Sequence, residues 1–471
     1  MALGRDSDGS ENVEALRPVT SFRDQLEERS LAPLQHTGQG FYLLVGFLLA
    51  VIAWGVFTYS YQLRDGLIVT GMRDRMSWGL YIAMFVFFIG ASMAGTFVSA
   101  VLRITKAGWR TPVTRTAELV TVAALLIAGL FITFDLGRPD RIYHTALFGR
   151  WESPLIWDIY GLTTYLTGSV IYLYAALVPD LAYCRDRLNP EASPIKRWFY
   201  RVFSIGWVGN PTQRRRLQTV LTVMMIAIIP VAVMMHTVTS WIFAMTLREP
   251  WDSPMFGIYF VGGAIFSGSG IIIILMAALR KAYRLENFIT QKHFLYLGYL
   301  MAALAAIMLF FNLSEIVTHA YKLRGHIEHH LVETFIGSLA PLFWTYLLGG
   351  IVLPILIIAN PLTRNIKGIV VAAVLVNIGM VIERYLIVGG LHVPLNPYPH
   401  PSYSPTWVEW SLMAAGIAAF ILLITLLLKL VPSVAVTEML EERGEPVPES
   451  PTAEPAPRLW REMESTRGGG S

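Results

Sequence analysis

Ten apolar stretches, each long enough to cross a bilayer, dominate the sequence and restrict what it can fold into. Crossing roughly 30 Å of hydrocarbon takes about 20 apolar residues in a helix. Such runs fall near 41–63, 78–102, 117–136, 156–178, 217–245, 255–279, 293–319, 331–358, 366–390 and 407–430. Lipid offers the backbone no hydrogen-bond partners, so runs of this length span as helices, and they are too long for the strands of a barrel. The expected fold is an all-α integral membrane protein. Composition agrees: 54% of the 471 residues are hydrophobic and only 15% charged, at a mean hydropathy of +0.51, more apolar side chain than a soluble core uses.

Lysine and arginine set the orientation. With the N-terminus inside, inner segments carry 27 of them and outer loops nine, and Arg384 within a helix completes the 37. The positive-inside rule then places both termini in the cytoplasm, here expected to be that of a bacterium bounded by its inner membrane. The same inner loops account for the net charge of +4, which calls for no nucleic-acid partner. Residues 1–40 are polar and the first apolar run is long enough to stay as an anchor, so no cleavable signal peptide is expected. Cys184 is the single cysteine; one thiol ligates no iron–sulfur cluster and closes no internal disulfide.

The helices echo one another. Trp78-Gly79-Leu80-Tyr81 with Phe88 and Gly90 is matched 178 residues later by Phe256-Gly257-Ile258-Tyr259 with Phe266 and Gly268, and Trp151-Glu152-Ser153-Pro154 by Trp251-Asp252-Ser253-Pro254. The echo predicts two four-helix bundles, helices 2–5 and 6–9, with helices 1 and 10 peripheral. The corresponding division is a cytoplasmic extension 1–40, helix 1 and its outer loop 41–77, a first bundle 78–245, a second bundle 246–390, a Pro-rich outer loop with helix 10 at 391–430, and a cytoplasmic tail 431–471. Ser153-Pro154 and Ser253-Pro254 read as helix starts, which direct two positive helix ends at the outer interface.

Ionisable groups next to hydrocarbon are costly, and their default reading is functional. The strip DLGRPDRIYHTALFGRWESPLIWDIY, 135–160, lies between helices 3 and 4 on the outer side. A quinol site needs a lipid-accessible cleft, aromatic walls and groups that take protons. The strip offers Asp135, His144 and Asp158 as acceptors, Arg138 and Arg141 to hold carboxylates ionised, and Trp78, Tyr81, Trp151, Trp157 and Tyr160 as walls. The blander reading pairs Asp135 with the arginines and gives the tryptophans to the interfacial belt. A second polar set, His236, Asp252, Glu315, His319, Glu383 and Arg384, accompanied by Asn312 and Asn377, suggests a proton path through helices 5–9 or structural ion pairs. Glu315 and His319 share a helical face. The histidines at 319, 326, 329 and 330 are irregularly spaced and read as a partner contact rather than a metal site; only His236 and His319 sit loosely as haem ligands would, so no haem is expected. The loop His392–Pro405 reads as a docking surface or lid.

FDLGRPDR at 134–141, WESPLIWDIYG at 151–161 and MSWGLYIAMFVFF at 76–88, with the doubled bundle, resemble the NrfD/PsrC-like quinone-interacting membrane subunits of molybdopterin oxidoreductase-type complexes. Length and helix number look most similar to the ActC-type subunits of bacterial alternative complex III. The resemblance implies a subunit without haem or cluster that binds menaquinol or a related quinone at its outer edge. Its implied partners are an iron–sulfur subunit outside, multihaem cytochrome c subunits and a second NrfD-like membrane subunit. It implies quinol oxidation in a respiratory or photosynthetic chain, with proton translocation an open possibility and polysulfide or tetrathionate-type reductases the alternative. It places the quinone pocket on Asp135, Arg138, Arg141, His144 and Asp158. A secondary transporter or a bare membrane anchor are the competing readings; the parallel echo and lack of a mid-membrane helix break weigh against the transporter.

Overall fold

The computed structural model describes residues 22–35, 37–73, 76–104, 107–187, 193–246, 251–322, 327–390 and 403–445. Among these, ten helices are long and apolar enough to cross a membrane: α1 (Gln39–Asp65), α2 (Leu80–Arg103), α3 (Thr111–Asp135), α4 (Pro154–Arg187), α5 (Pro211–Ala244), α6 (Phe256–Ala282), α7 (Gln291–Lys322), α8 (Ala340–Ala359), α9 (Ile366–Val388) and α10 (Trp407–Leu427). The protein is an all-helical, multi-pass integral membrane protein. The N-terminal ends of even-numbered helices and the C-terminal ends of odd-numbered ones share one face, called the outer end after the charge bias.

Burial separates centre from edge. The apolar stretch of α2 is 83% buried and that of α1 only 11%, so α2 is the hub and α1 faces its surroundings. In the first half α2 packs on α3 and α5, and α4 packs on α3 and α5; in the second, α6 packs on α7 and α9, and α8 on α7 and α9. Helices α1 and α10 pair, Gly55 letting α1 approach Ala415, and α10 leans on α3.

The halves join along α2 and α6, and the echoed glycines make the joint. A Cβ on Gly268 would sit 2.4 Å from the Ala94 Cβ, and one on Gly90 3.3 Å from the Ala264 Cα. Small residues permit close backbone approach where no hydrophobic force separates lipid from helix.

Three helix ends differ from the sequence expectation. The run expected at 331–358 is divided into a short helix, Ile327–Phe335, and α8, because Gly337 and Ser338 break it and Pro341 starts the next helix. Helix α3 begins at Thr111, not 117, so Arg115, expected in an inner loop, is 1% exposed inside the helix. Helices α4 and α5 have 34 residues each, roughly 51 Å at 1.5 Å per residue, the first continuing past 178 to Arg187 and the second starting at Pro211 rather than 217.

The inner end is tied together by the segments that flank the spans. Helix Phe22–Gln35 buries Leu26, Leu31 and Leu34, sets Phe22 against Phe288, and gives its Pro33 carbonyl to Lys429 Nζ at 2.6 Å. The segment around helix Val436–Glu442 returns into the first half. There Asp180 accepts from Thr437 N (3.0 Å), Thr437 Oγ1 (2.8 Å) and Arg115 Nη2 (2.6 Å), while Glu438 pairs with Arg103 at 3.0 Å. The Pro-rich loop falls largely outside the described residues, as does His326.

Candidate functional site

Helix α3 stops at Asp135 because Leu136 turns to extended backbone and Pro139 opens a tight turn, Pro139–Arg141. The chain continues as helix Ile142–Phe148 and enters α4 at Pro154. This brings Asp135 to a cluster at the outer ends of α1, α2, α3 and α10. Tyr81, fully buried, donates to Gln62 Oε1 at 2.6 Å, and Gln62 Nε2 donates to the Phe134 carbonyl at 2.7 Å. Asp135 Oδ1 is buried with no hydrogen-bond partner. Glu409, near enough for its charge to act on Asp135, is itself satisfied: it accepts from Gly71 N (2.7 Å), Thr406 N (2.9 Å) and the Tyr403 hydroxyl. An orphaned buried carboxylate oxygen is costly.

The rest of the strip takes other positions. Asp158 is buried in the α4–α5 seam, where Thr239 Oγ1 donates to it, so the two aspartates have different neighbours. Arg138 pairs with Asp140 through two exposed contacts of 3.1 and 3.0 Å, not with Asp135. The Arg138 guanidinium, helped by Arg141, holds the Asp140 carboxyl below the usual range. His144 is half-buried, edge-on to Tyr143 and Phe148 at 4.5 and 5.3 Å. Trp151 is 66% exposed and stacks on Tyr160 at 5.2 Å, and its carbonyl accepts from Trp157 Nε1. With exposed Leu147 and Phe148 these rings form an apolar ledge at the outer end. Trp78 instead stacks on Trp251 at the junction of the halves, 6.0 Å apart, and Trp251 Nε1 donates to the Ile387 carbonyl at 2.9 Å.

The second polar set also divides. Glu315, His319 and Glu383 line a cavity of about 120 Å³ at the outer end of the second half. His319 Nε2 lies 3.4 Å from Glu315 Oε1, and Ser253 Oγ donates to Oε2 at 2.9 Å. Asn312 Nδ2 donates to the Tyr346 hydroxyl at 2.8 Å, which lies 3.2 Å from that of Tyr259. Arg384 pairs with Glu383 at 3.3 Å and lies over Phe260. His236 directs its ring nitrogens at the Ala232 and Ile89 carbonyls (2.8 and 3.0 Å) and is near enough to Arg384 to feel its charge, whereas Asp252 is exposed. Of the six, Asp252 lies apart at the surface. Gln62, Tyr346 and Thr334 escaped the sequence reading. Gln62 was findable as a lone amide in an apolar run, and Tyr259 as the echo of Tyr81.

Comparison with known proteins brings one family forward. The family model described as "Polysulphide reductase, NrfD" matches residues 68–393. The chain is 32% identical over 368 residues to a putative dimethyl sulfoxide reductase membrane protein of Halobacterium salinarum, covering 75% of this chain and 79% of that one. It is 25% identical over 432 residues to a selenate reductase subunit of Mesobacillus selenatarsenatis, covering 87% and 98%. It is 24% identical over 404 residues to the menaquinone reductase integral membrane subunit of Nitratidesulfovibrio vulgaris, covering 81% and 90%.

Proposed function

Because the chain belongs to the polysulphide reductase NrfD family, we propose that it is the quinone-exchanging membrane subunit of a multisubunit respiratory oxidoreductase, taking electrons from menaquinol at its outer end. The observation that carries the site is the buried, unpartnered Oδ1 of Asp135 beside Tyr81. A quinol gives up two protons with its two electrons, so a base must reach its hydroxyl, and Asp135 is such a base. The ledge of Phe148, Trp151 and Tyr160 gives the ring an apolar approach from the lipid. His144, edge-on to Phe148, belongs to the same outer segment, and Asp158, held by Thr239 in the α4–α5 seam, is a second buried carboxylate of this half.

Electrons have to leave the chain. One cysteine holds no cluster, so the acceptor is an iron–sulfur protein docked at the outer end, where Arg138, Asp140 and Arg141 present an exposed charged surface. Relatives named for dimethyl sulfoxide and selenate reductases favour a terminal-reductase complex over alternative complex III. Menaquinone, which appears in the name of another relative, is the favoured carrier.

The test is quinol oxidation by the purified complex. Asp135→Asn, His144→Ala and Asp158→Asn are each expected to lower turnover at least about tenfold, a barrier increase of about 1.4 kcal/mol, with assembly intact. Unchanged turnover in all three reduces the chain to an anchor. Metal and haem analysis of the copurified partners identifies the complex: molybdenum with iron–sulfur centres supports the reductase reading, and multihaem cytochrome c without molybdenum overturns it in favour of alternative complex III.

A further inference from the structure

We infer that the outer-end cavity of the second half binds a second quinone-class ring, received by the Thr334 hydroxyl and the Glu315–His319 pair. The inference rests on the proposed quinone chemistry of the first half but concerns a different place. Three independent observations carry it.

The first is an unmet hydrogen bond. Thr334, 8% exposed, lines the cavity, and its Oγ1 is buried without a partner. A native structure rarely leaves such a group idle, and a ring carbonyl would accept its proton.

The second is the lining. Met255, Ile316, Leu331, Phe343 and Leu386 surround a few convergent polar groups, the composition of a small-molecule pocket. At about 120 Å³ the space equals on the order of ten water-sized spheres, enough for a ring and its oxygens. Exposed Leu313, Val317, Val332 and Ile336 lie along the same helices, so the approach is apolar. The backbone is irregular on both sides: Tyr346 lies in the π-helical turn Thr345–Val352 and Ile387 in Leu386–Gly390, and such turns gather at functional sites.

The third is the internal echo. Tyr259 occupies in the second half the place of Tyr81 in the first. Each is a buried tyrosine in the first turn of the helix that makes the joint, with its hydroxyl bonded to a neutral side chain, Tyr346 or Gln62, and with a carboxylate close by, Glu383 or Asp135.

The experiment is photolabelling of the intact complex with an azidoquinone, followed by peptide mapping. Label is expected both on 136–160 and on 327–335. Ile316→Trp fills the cavity and is expected to abolish the 327–335 label while sparing 136–160. Thr334→Val, which keeps shape and removes one hydrogen bond, is expected to weaken the 327–335 label about fivefold. Label on 136–160 alone overturns the inference and leaves the proposed function standing; label on 327–335 alone supports it and removes the first site. No label at either position overturns both. An unchanged 327–335 label in Thr334→Val, or one obtained with a photoreactive phospholipid and not with the azidoquinone, also overturns it.

Discussion

Glu383 and Arg384 show what adjacent opposite charges cost inside a membrane protein. Both are about 2% exposed and lie 3.3 Å apart, and a buried guanidinium without its carboxylate is strongly destabilising. Glu383→Gln is therefore expected to lower stability by about 3–5 kcal/mol, seen as lost thermal stability in detergent rather than as a changed pH profile of turnover. Asp140 is the opposite case. Arg138 depresses its titration, so the pair's contribution is present above the ordinary carboxylate range and fades as pH falls through the depressed value. Because both partners are exposed that contribution is small, so Asp140→Asn is expected to lower the melting temperature only slightly at pH 7 and not at all below the depressed value. At this scale the sequence was informative about which side chains are costly and silent about their partners. Asp135 and Asp158 were legible as ionisable groups at a helix edge. Their neighbours were not: Gln62 and Glu409 beside Asp135, and Thr239 on Asp158, are remote in the numbering, and no local pattern records which residues meet.

The helices themselves were legible because apolar length is a one-dimensional property. Their ends were less so, since packing decides them: Arg115 looks like a loop residue until Asp180 arrives from the fold. Asp180→Ala would strand that guanidinium and release Thr437, and is expected to cost about 3–5 kcal/mol and to open 434–445 to protease in inverted membranes. The joint between α2 and α6 gives a sharper contrast. Gly268→Ala places a methyl against Ala94, an overpacking worth about 1–3 kcal/mol, whereas Gly46→Ala on the uncovered α1 meets nothing within 4 Å and is expected to gain a few tenths of a kcal/mol of helix propensity, roughly up to 1. Comparative thermal unfolding of the two variants checks both signs.

At the scale of the molecule, the repeat was visible in the sequence as paired motifs, and two of its glycines, Gly90 and Gly268, lie at the joint. It did not foretell that equivalent residues would diverge: Trp151 faces outward while its echo Trp251 is 3% exposed between the halves, because the second copy was drawn into the α2–α6 junction by Trp78 and Phe243. Two similar bundles thus present an exposed ledge in one and a covered cavity in the other.

The unequal helix lengths have a consequence for neighbours. Helices α4 and α5 are about 20 Å longer than the hydrocarbon is thick, and helix Pro194–Phe203 and the returning C-terminal segment pack on α4, while α8 and α10 have only 20 and 21 residues. A neighbour that approaches α4 at its C-terminal end therefore meets helix Pro194–Phe203 and the C-terminal segment rather than lipid alone.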